Sequence, residues 1–416
     1  MSYLVRTIDQ ELDDLLPIAP AIALDGPKGV GKTETASRRA DSTWFMDDPN
    51  QRAIIGADFA LTPLPPGTIV IDEWQKLPQA WDSVRRQVDA GAPPGRFILT
   101  GSATPVDAAG THSGAGRILS LRMRPMGLHE RGAVSPTVSL ARLLAGEGDQ
   151  VGGHSAFTLR DYADAITGSG FPAIVAAHPR LRRGLLNAYV QRIIDRDIHE
   201  RGRDVRRPDT LARWLRAYAA AASTTTTYSR ILAAATAGDG DRPAAATTMA
   251  YRDALTQLWL LDPLPGWMPV GSPVRRTQVA PKHQLADPAL AARLLNLSAS
   301  SLLSPAGAHM AGPLFESLVT LGVRVMAQAA EAEVSYLRTA HGDHEVDIIV
   351  QGFDGQILGI EVKLAAAVSD ADVRHLKWLR AQLPDKVVDL MVVTTGTDAY
   401  RRPDGVAVVP LALLGA

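Results

Sequence analysis

The chain has 416 residues, too many for one ordinary core, and its 46% hydrophobic and 21% charged content is that of a multidomain globular protein. It has no cysteine, which excludes disulfides, thiolate metal sites and cysteine nucleophiles, and its net charge of -1 supplies no global basic field for nucleic acid. No apolar run approaches the roughly 20 residues of a membrane span, and Met1 to Asp14 carries acidic residues without an apolar signal core; the expectation is a cytoplasmic protein with no membrane partner.

In chain order, Ile8 to Leu16 reads as a short amphipathic segment, and Ala21-Ile22-Ala23-Leu24 as a buried strand. The octapeptide Gly26-Pro27-Lys28-Gly29-Val30-Gly31-Lys32-Thr33 follows, with helix formers from Glu34 to Ala40 behind it. Strand, G-x-x-x-x-G-K-T and helix together read as a cradle for nucleotide phosphates. Gly26 and Gly31 permit turns that a Cβ would obstruct, Lys32 offers a point charge to the β and γ phosphates, and Thr33 offers a hydroxyl to magnesium.

Thr43 to Met46 is a second strand candidate and Ile54 to Ala60 a helix. Thr68 to Glu73 is an apolar run ending in two carboxylates, 40 residues after Lys32, the Walker B pattern. In that reading Asp72 holds magnesium and Glu73 polarises the attacking water. Trp81 to Ala90 suits a helix, and Arg96 to Ser102 is a strand whose Thr100 or Ser102 is placed to sense a γ-phosphate; a plain turn or cap is the ordinary alternative. Residues 101 to 116 are Gly/Ser/Thr/His-rich and read as mobile, with Arg117, Arg122 and Arg124 behind them.

Residues 133 to 156, rich in Gly, Ser and Ala, are expected to hold the first interdomain boundary. Helices follow: Leu181 to Ile198, Leu211 to Ala222, one before a Gly-Asp-Gly-Asp turn at 238 to 241, and one at about 244 to 260. The succession suggests a winged helix-turn-helix, yet its recognition helix brings only Arg252, which favours an architectural role over DNA reading. A basic cluster comprises Arg180, Arg182, Arg183, Arg192, Arg196, Arg201, Arg203, Arg206 and Arg207, with Asp195, Asp197, Glu200 and Asp204 interspersed. It reads either as a solvated face with local ion pairs or as a phosphate-binding surface.

Near the C-terminus, Leu314 to Val319 opens a helix, and the runs Glu345 to Val350 and Leu358 to Lys363 flank an Asp354-Gly355 turn as a hairpin. Asp347, Glu361 and Lys363, in the order D-x13-E-x-K, interrupt otherwise apolar strands, and Glu316 can add a carboxylate from the helix. Such a set can bind magnesium and orient hydroxide at a phosphodiester.

These motifs resemble prokaryotic AAA+ type ATPases of the archaeal ATPase-like group fused to a C-terminal domain of unknown function with a PD-(D/E)XK nuclease-like fold. The matching segments include GPKGVGKT, VIDEWQKLP, ILTGSA, GRILSLRMRPMGLHE, GFPAI, PKHQLADPAL, GPLFESLV and HEVDIIV followed by IEVK. The resemblance implies an α/β architecture: a P-loop ATPase sheet over 1–134, a helical and winged-helix-like region over 135–300, and a nuclease-like α/β domain over 301–416. It implies ATP and Mg2+ as ligands, held by residues 26–33, with Asp72 and Glu73 as the Walker B pair and Thr100 or Ser102 on the sensor strand. Arg117 matches the Gly-Arg after that strand and is the preferred sensing arginine, with Arg192 and Arg196 as rivals. Glu34 departs from the small residue usual after the GKT. DNA or RNA is an expected partner, a homo-oligomer is open, and the alternative function is a nucleotide-switched module whose nuclease-like fold is a docking scaffold.

Overall fold

The computed structural model describes residues 3–102, 114–148, 150–197, 208–236, 244–268, 280–340 and 342–416. Most of the stretch expected to be mobile, the Gly-Asp-Gly-Asp turn, and Arg201, Arg203, Arg206 and Arg207 lie outside the described residues, as does the side chain of Arg196. The chain forms two units, Ile8–Arg124 with Asp253–Leu260, and Met1–Thr7 with Pro125–Arg252 and Leu261–Ala416.

In the first, helix α1 (Thr7–Leu15) precedes a sheet of β1 (Ala21–Asp25), β2 (Ser42–Phe45), β3 (Ile69–Asp72), β4 (Phe97–Gly101) and β5 (Leu119–Arg122). The strands are all parallel, in the order β2-β3-β4-β1-β5, so β4 is inserted between the strand of the phosphate loop and the strand of the paired carboxylates. The crossovers are α2 (Lys32–Ser37), α3 (Pro49–Ala57) and α4 (Gln79–Asp89). Helix α3 begins five residues before the expected Ile54, because Asp48 caps it, accepting from Asn50 N at 2.8 Å, and Pro49 fills its first position. Ile69, Ile71, Leu99, Trp74, Trp81 and Val84 are buried in one cluster beneath the sheet, each contributing about 1.5–3 kcal/mol by leaving water. Arg39 ties α2 to α1, bonding Asp9 at 2.8 Å and Asp13 at 2.6 Å.

The second unit begins with β6 (Val138–Ser139), α5 (Leu140–Leu144) and β7 (Gly153–His154). The stretch 133–156, where the first interdomain boundary was expected, supplies two short strands that pair with the far end of the chain, as given below. Helices α6 (Leu159–Gly168), α7 (Pro172–Val175), α8 (Pro179–Arg192), α9 (Pro208–Ala220), α10 (Tyr228–Ala235), α11 (Ala245–Gln257), α12 (Pro288–Leu294) and α13 (Ala299–Leu302) follow, with α8 running on into a π turn over Ile193–Asp197. Arg252, on α11, stands 4.8 Å over the Tyr228 ring.

The last part runs α14 (Ala308–Ala329), β8 (Glu333–Arg338), β9 (Glu345–Gln351), β10 (Ile357–Val362), α15 (Asp370–Gln382), β11 (Val387–Thr394), β12 (Asp398–Arg401), β13 (Ala407–Pro410) and β14 (Leu414–Gly415). Its seven-stranded mixed sheet has the order β7-β12-β13-β11-β10-β9-β8, and β14 pairs with β6. The hairpin expected around Asp354-Gly355 forms, with Ile357 opposite Gln351. Leu337, Val346, Ile349, Leu376, Leu379 and Val392 share a core cluster. Helix α14 has the length and composition of a membrane span, interrupted by Glu316 and Arg324, and 72% of its most apolar stretch is buried inside the fold. Glu316 therefore lies in the body of a 22-residue core helix, not at a helix start.

Candidate functional sites

In the first unit the parallel register sets Asp72 beside Thr100 and Asp25 beside Gly101, so the side chains of Asp25, Asp72 and Thr100 lie at the carboxyl edge of the sheet. Ligands of open parallel sheets bind at this edge. Gly31, at φ 103°, hands the loop into α2 in a left-handed conformation that a side chain would strain. Val30 is fully buried and anchors the loop, while Lys28 and Gly29 are exposed.

Lys32 is 5% exposed, and its ammonium donates to the Gly26 and Pro27 carbonyls at 2.8 and 3.0 Å. Burial lowers its pKa to about 8, opposed by the charges of Glu73, Asp72 and Asp25. Burial likewise raises Asp25 to about 6 against the pull of Lys32 and Arg122. Thr33 Oγ1 donates to Asp72 Oδ1 at 2.7 Å, and Thr100 Oγ1 donates to the same oxygen.

Ser102 serves the other carboxylate. Its hydroxyl donates to Glu73 Oε2 at 2.9 Å, and Gln75 Nε2 donates to both Glu73 Oε2 and, at 3.1 Å, Ser102 Oγ. Glu73 has φ 52°, a left-handed turn that starts a 3-10 helix over Trp74–Lys76 and brings Gln75 back to it. Such strain in a residue with a side chain persists only where its surroundings enforce it. The two hydroxyls left as alternatives thus have separate partners, and Gln75 is a residue that sequence reasoning passed over.

Arg117 stands elsewhere. Its guanidinium pairs with Asp89 at 2.5 Å, at the end of α4, and does not meet Asp72 or Glu73. Glu34 is turned outward to Arg38 at 3.1 Å. Arg192 is exposed on α8.

This cradle fits a nucleotide and magnesium: a buried ammonium bonded to loop carbonyls, and a carboxylate flanked by two hydroxyls. Residues 19–131 match the family model described as an AAA domain, and with the sheet order this defines a P-loop ATPase domain of the AAA class. Two domains of unknown function match the rest, DUF8612 over 159–301 and DUF4143 over 311–414. Uncharacterized proteins of Mycobacterium tuberculosis and Mycobacterium bovis are each 27% identical over 405 residues, covering 94% of this chain and 80% of theirs. Among solved structures, a Walker-type ATPase of Pyrococcus abyssi is 14% identical with a TM-score of 0.40, covering 69% of this chain and 94% of its own. The ORC2 protein of Aeropyrum pernix is 15% identical at 0.30, covering 73% and 91%, and the RuvB Holliday junction branch migration motor of Thermotoga maritima is 18% identical at 0.28, covering 62% and 89%.

The second candidate centre lies in the other unit. Asp347 on β9 and Glu316 on α14 converge, but on a lysine, while Glu361 on β10 pairs with Lys363. Lys282, 2% exposed, reaches Glu316 at 2.9 Å, Asp347 Oδ1 at 3.0 Å and Glu345 at 3.2 Å. Burial alone would lower its pKa, yet these carboxylates hold it well above the ordinary lysine range. The other oxygen of Asp347 accepts from Val362 N at 3.0 Å. Lys363 pairs with Glu361 Oε1 at 2.9 Å, which leaves Glu361 Oε2 buried without a partner.

The expected metal set of Glu316, Asp347 and Glu361 is thereby corrected. Both Asp347 oxygens and Glu316 are already bonded, an ammonium occupies their meeting point, and no group of three metal-ligating side chains assembles among the described residues. These residues do not fit a divalent metal in this arrangement. Sequence placed Lys282 in the matching segment PKHQLADPAL without giving it a role; it precedes Glu316 by 34 positions and enters from an irregular segment bridged to Leu264.

Proposed function

We propose that the chain is an ATP-hydrolysing switch that acts on or is regulated by nucleic acid. The observation that carries the ATPase part is the pair of hydroxyls, Thr33 and Thr100, converging on Asp72 Oδ1 beside the buried Lys32 ammonium. Lys32 exchanges its two loop carbonyls for phosphate oxygens, and the exchange favours the charged form that burial disfavours. Thr33 and Asp72 would hold magnesium, which when bound neutralises charge on the phosphoryl group. Glu73, anchored by Ser102 and Gln75, takes the proton of the attacking water.

For the C-terminal fold, the position of Lys282 supports the scaffold reading over phosphodiester cleavage. The ammonium already neutralises the carboxylates that cleavage would need free.

The test is ATP turnover with and without single- and double-stranded nucleic acid. Lys32→Ala should lose nucleotide binding. Glu73→Gln should retain ATP while turnover falls on the order of 100-fold or more. Full turnover in either variant sinks the assignment. Nicking with magnesium or manganese should be absent in both wild type and Asp347→Ala.

A further inference from the structure

Five arginines from three separate stretches line one groove of about 740 Å³ in the second unit: Arg160 on α6, Arg180, Arg182 and Arg183 on α8, and Arg293 on α12. Asp164 is the one acidic residue in the lining, and it pairs with Arg160 at 3.1 Å. Of the acidic residues interspersed with this cluster in sequence, Asp195 accepts from Gln191 at 2.8 Å and does not line the groove, while Glu200, Asp204 and the side chain of Asp197 lie outside the described residues.

A second observation concerns the local sequence of α8. Helix N-termini carry partial positive charge and favour acidic residues. The first turn of this 14-residue helix has no acidic residue, and arginines stand at its second, fourth and fifth positions. Sequence and helix dipole therefore repel one another here, and neither Arg180 nor Arg183 has an acidic partner among the described residues. Local conflicts of this kind are retained where a ligand offsets them.

The geometry also holds the charges in place. Arg182 donates to the Ala177 and Val175 carbonyls at 2.8 and 2.6 Å, and Arg293 is held by Asn187. Leu186, Ala289 and Ala292 give the groove an apolar floor. Guanidinium forks match phosphate oxygens two at a time, and an apolar floor takes the face of a sugar or base.

We propose that this groove holds the phosphodiester backbone of a nucleic acid. The assignment rests on the nucleic-acid reading above and gives it a location. A recessed, helix-walled channel suits a strand more than the flat plane of a membrane.

Full-length protein would be titrated against fluorescein-labelled 30-nucleotide single- and double-stranded DNA by anisotropy across a salt series. The double variant Arg180→Gln/Arg183→Gln should melt like wild type and bind roughly 10-fold or more weakly, with a log-log salt slope lower by about 1.4–1.8. Arg180→Glu/Arg183→Glu should lose more. Arg374→Gln/Lys377→Gln on α15, with the same change in net charge, should retain affinity. If the α15 control loses as much as the groove variants, or the groove variants bind as wild type does, the groove assignment is overturned while the nucleic-acid reading stands. If wild type binds neither DNA nor a matching RNA, the reading itself fails and takes the groove with it. Binding only to phosphatidylserine vesicles overturns both in the same way.

Discussion

The Lys282 ammonium stands 3.0 Å from Asp347 Oδ1, with Glu316 and Glu345 closing around it at 2.9 and 3.2 Å. Three carboxylates share one buried cation, so removing it leaves the largely buried Glu316 and Asp347 without their counter-charge. Lys282→Met should destabilise the second unit by about 3–5 kcal/mol, the usual cost of breaking a buried ion pair from one side. A divalent cation can then take the vacated place. In an Asp72→Asn background, which disables the other metal-binding carboxylate, manganese should raise the melting temperature of Lys282→Met and leave the Lys282 parent unmoved. An unmoved variant would mean that Glu316 and Asp347 neutralise themselves with protons instead.

Glu361 gives a pH dependence with a definite sign. Burial, then the neighbouring charge of Asp347, raises its pKa to about 8 despite Lys363. An acid whose folded pKa lies above its ordinary value of 4.5 binds more protons in the folded than in the unfolded chain between those limits. Its contribution is therefore fully present below about pH 4.5 and lost as pH rises through 8. Glu361→Gln keeps the neutral form at every pH. Its melting temperature should match wild type near pH 5 and exceed it by several degrees at pH 8, a difference of at most a few kcal/mol. A gap that shrinks as pH rises would reverse the assignment of burial as the dominant effect.

What the sequence revealed and what it hid divide along a physical line. The phosphate loop, Asp72, Glu73 and the Asp354-Gly355 hairpin were legible because each depends on residue types at fixed short spacing on regular backbone. Lys282 was not, since its partners lie 34 to 65 positions away on a helix and a strand. Gln75 was hidden by the left-handed backbone of Glu73, which no spacing rule anticipates. The 133–156 segment has linker composition, yet its two-residue strands are fixed by partners at 398–399 and 414–415. The basic cluster stayed ambiguous because Arg160 and Arg293, which complete its groove, stand outside it in sequence.

Asp287 joins two motifs that the sequence shows only as separate matches, GFPAI and PKHQLADPAL. Its carboxylate is fully buried; Oδ2 accepts from Ser169 Oγ at 2.6 Å and Gly170 N at 2.7 Å, while Oδ1 caps α12 through Ala289 N at 2.9 Å. The turn it secures is demanding, with Ser169 at φ 73° and Gly170 so close to the Met126 carbonyl that a Cβ would lie 2.6 Å from that oxygen. Asp287→Ala removes three accepted hydrogen bonds at once and leaves buried donors without partners, each costing about 1–3 kcal/mol. Asp287→Asn retains one carbonyl oxygen and should fall between. Because a chain of two units need not melt in one step, hydrogen exchange is the sharper readout. The amides of Gly170 and Ala289 should lose protection together in Asp287→Ala. In Asp287→Asn one should be spared, according to which side the remaining oxygen serves. Protection unchanged at both amides would show that neighbouring packing, and not this carboxylate, holds the turn against α12.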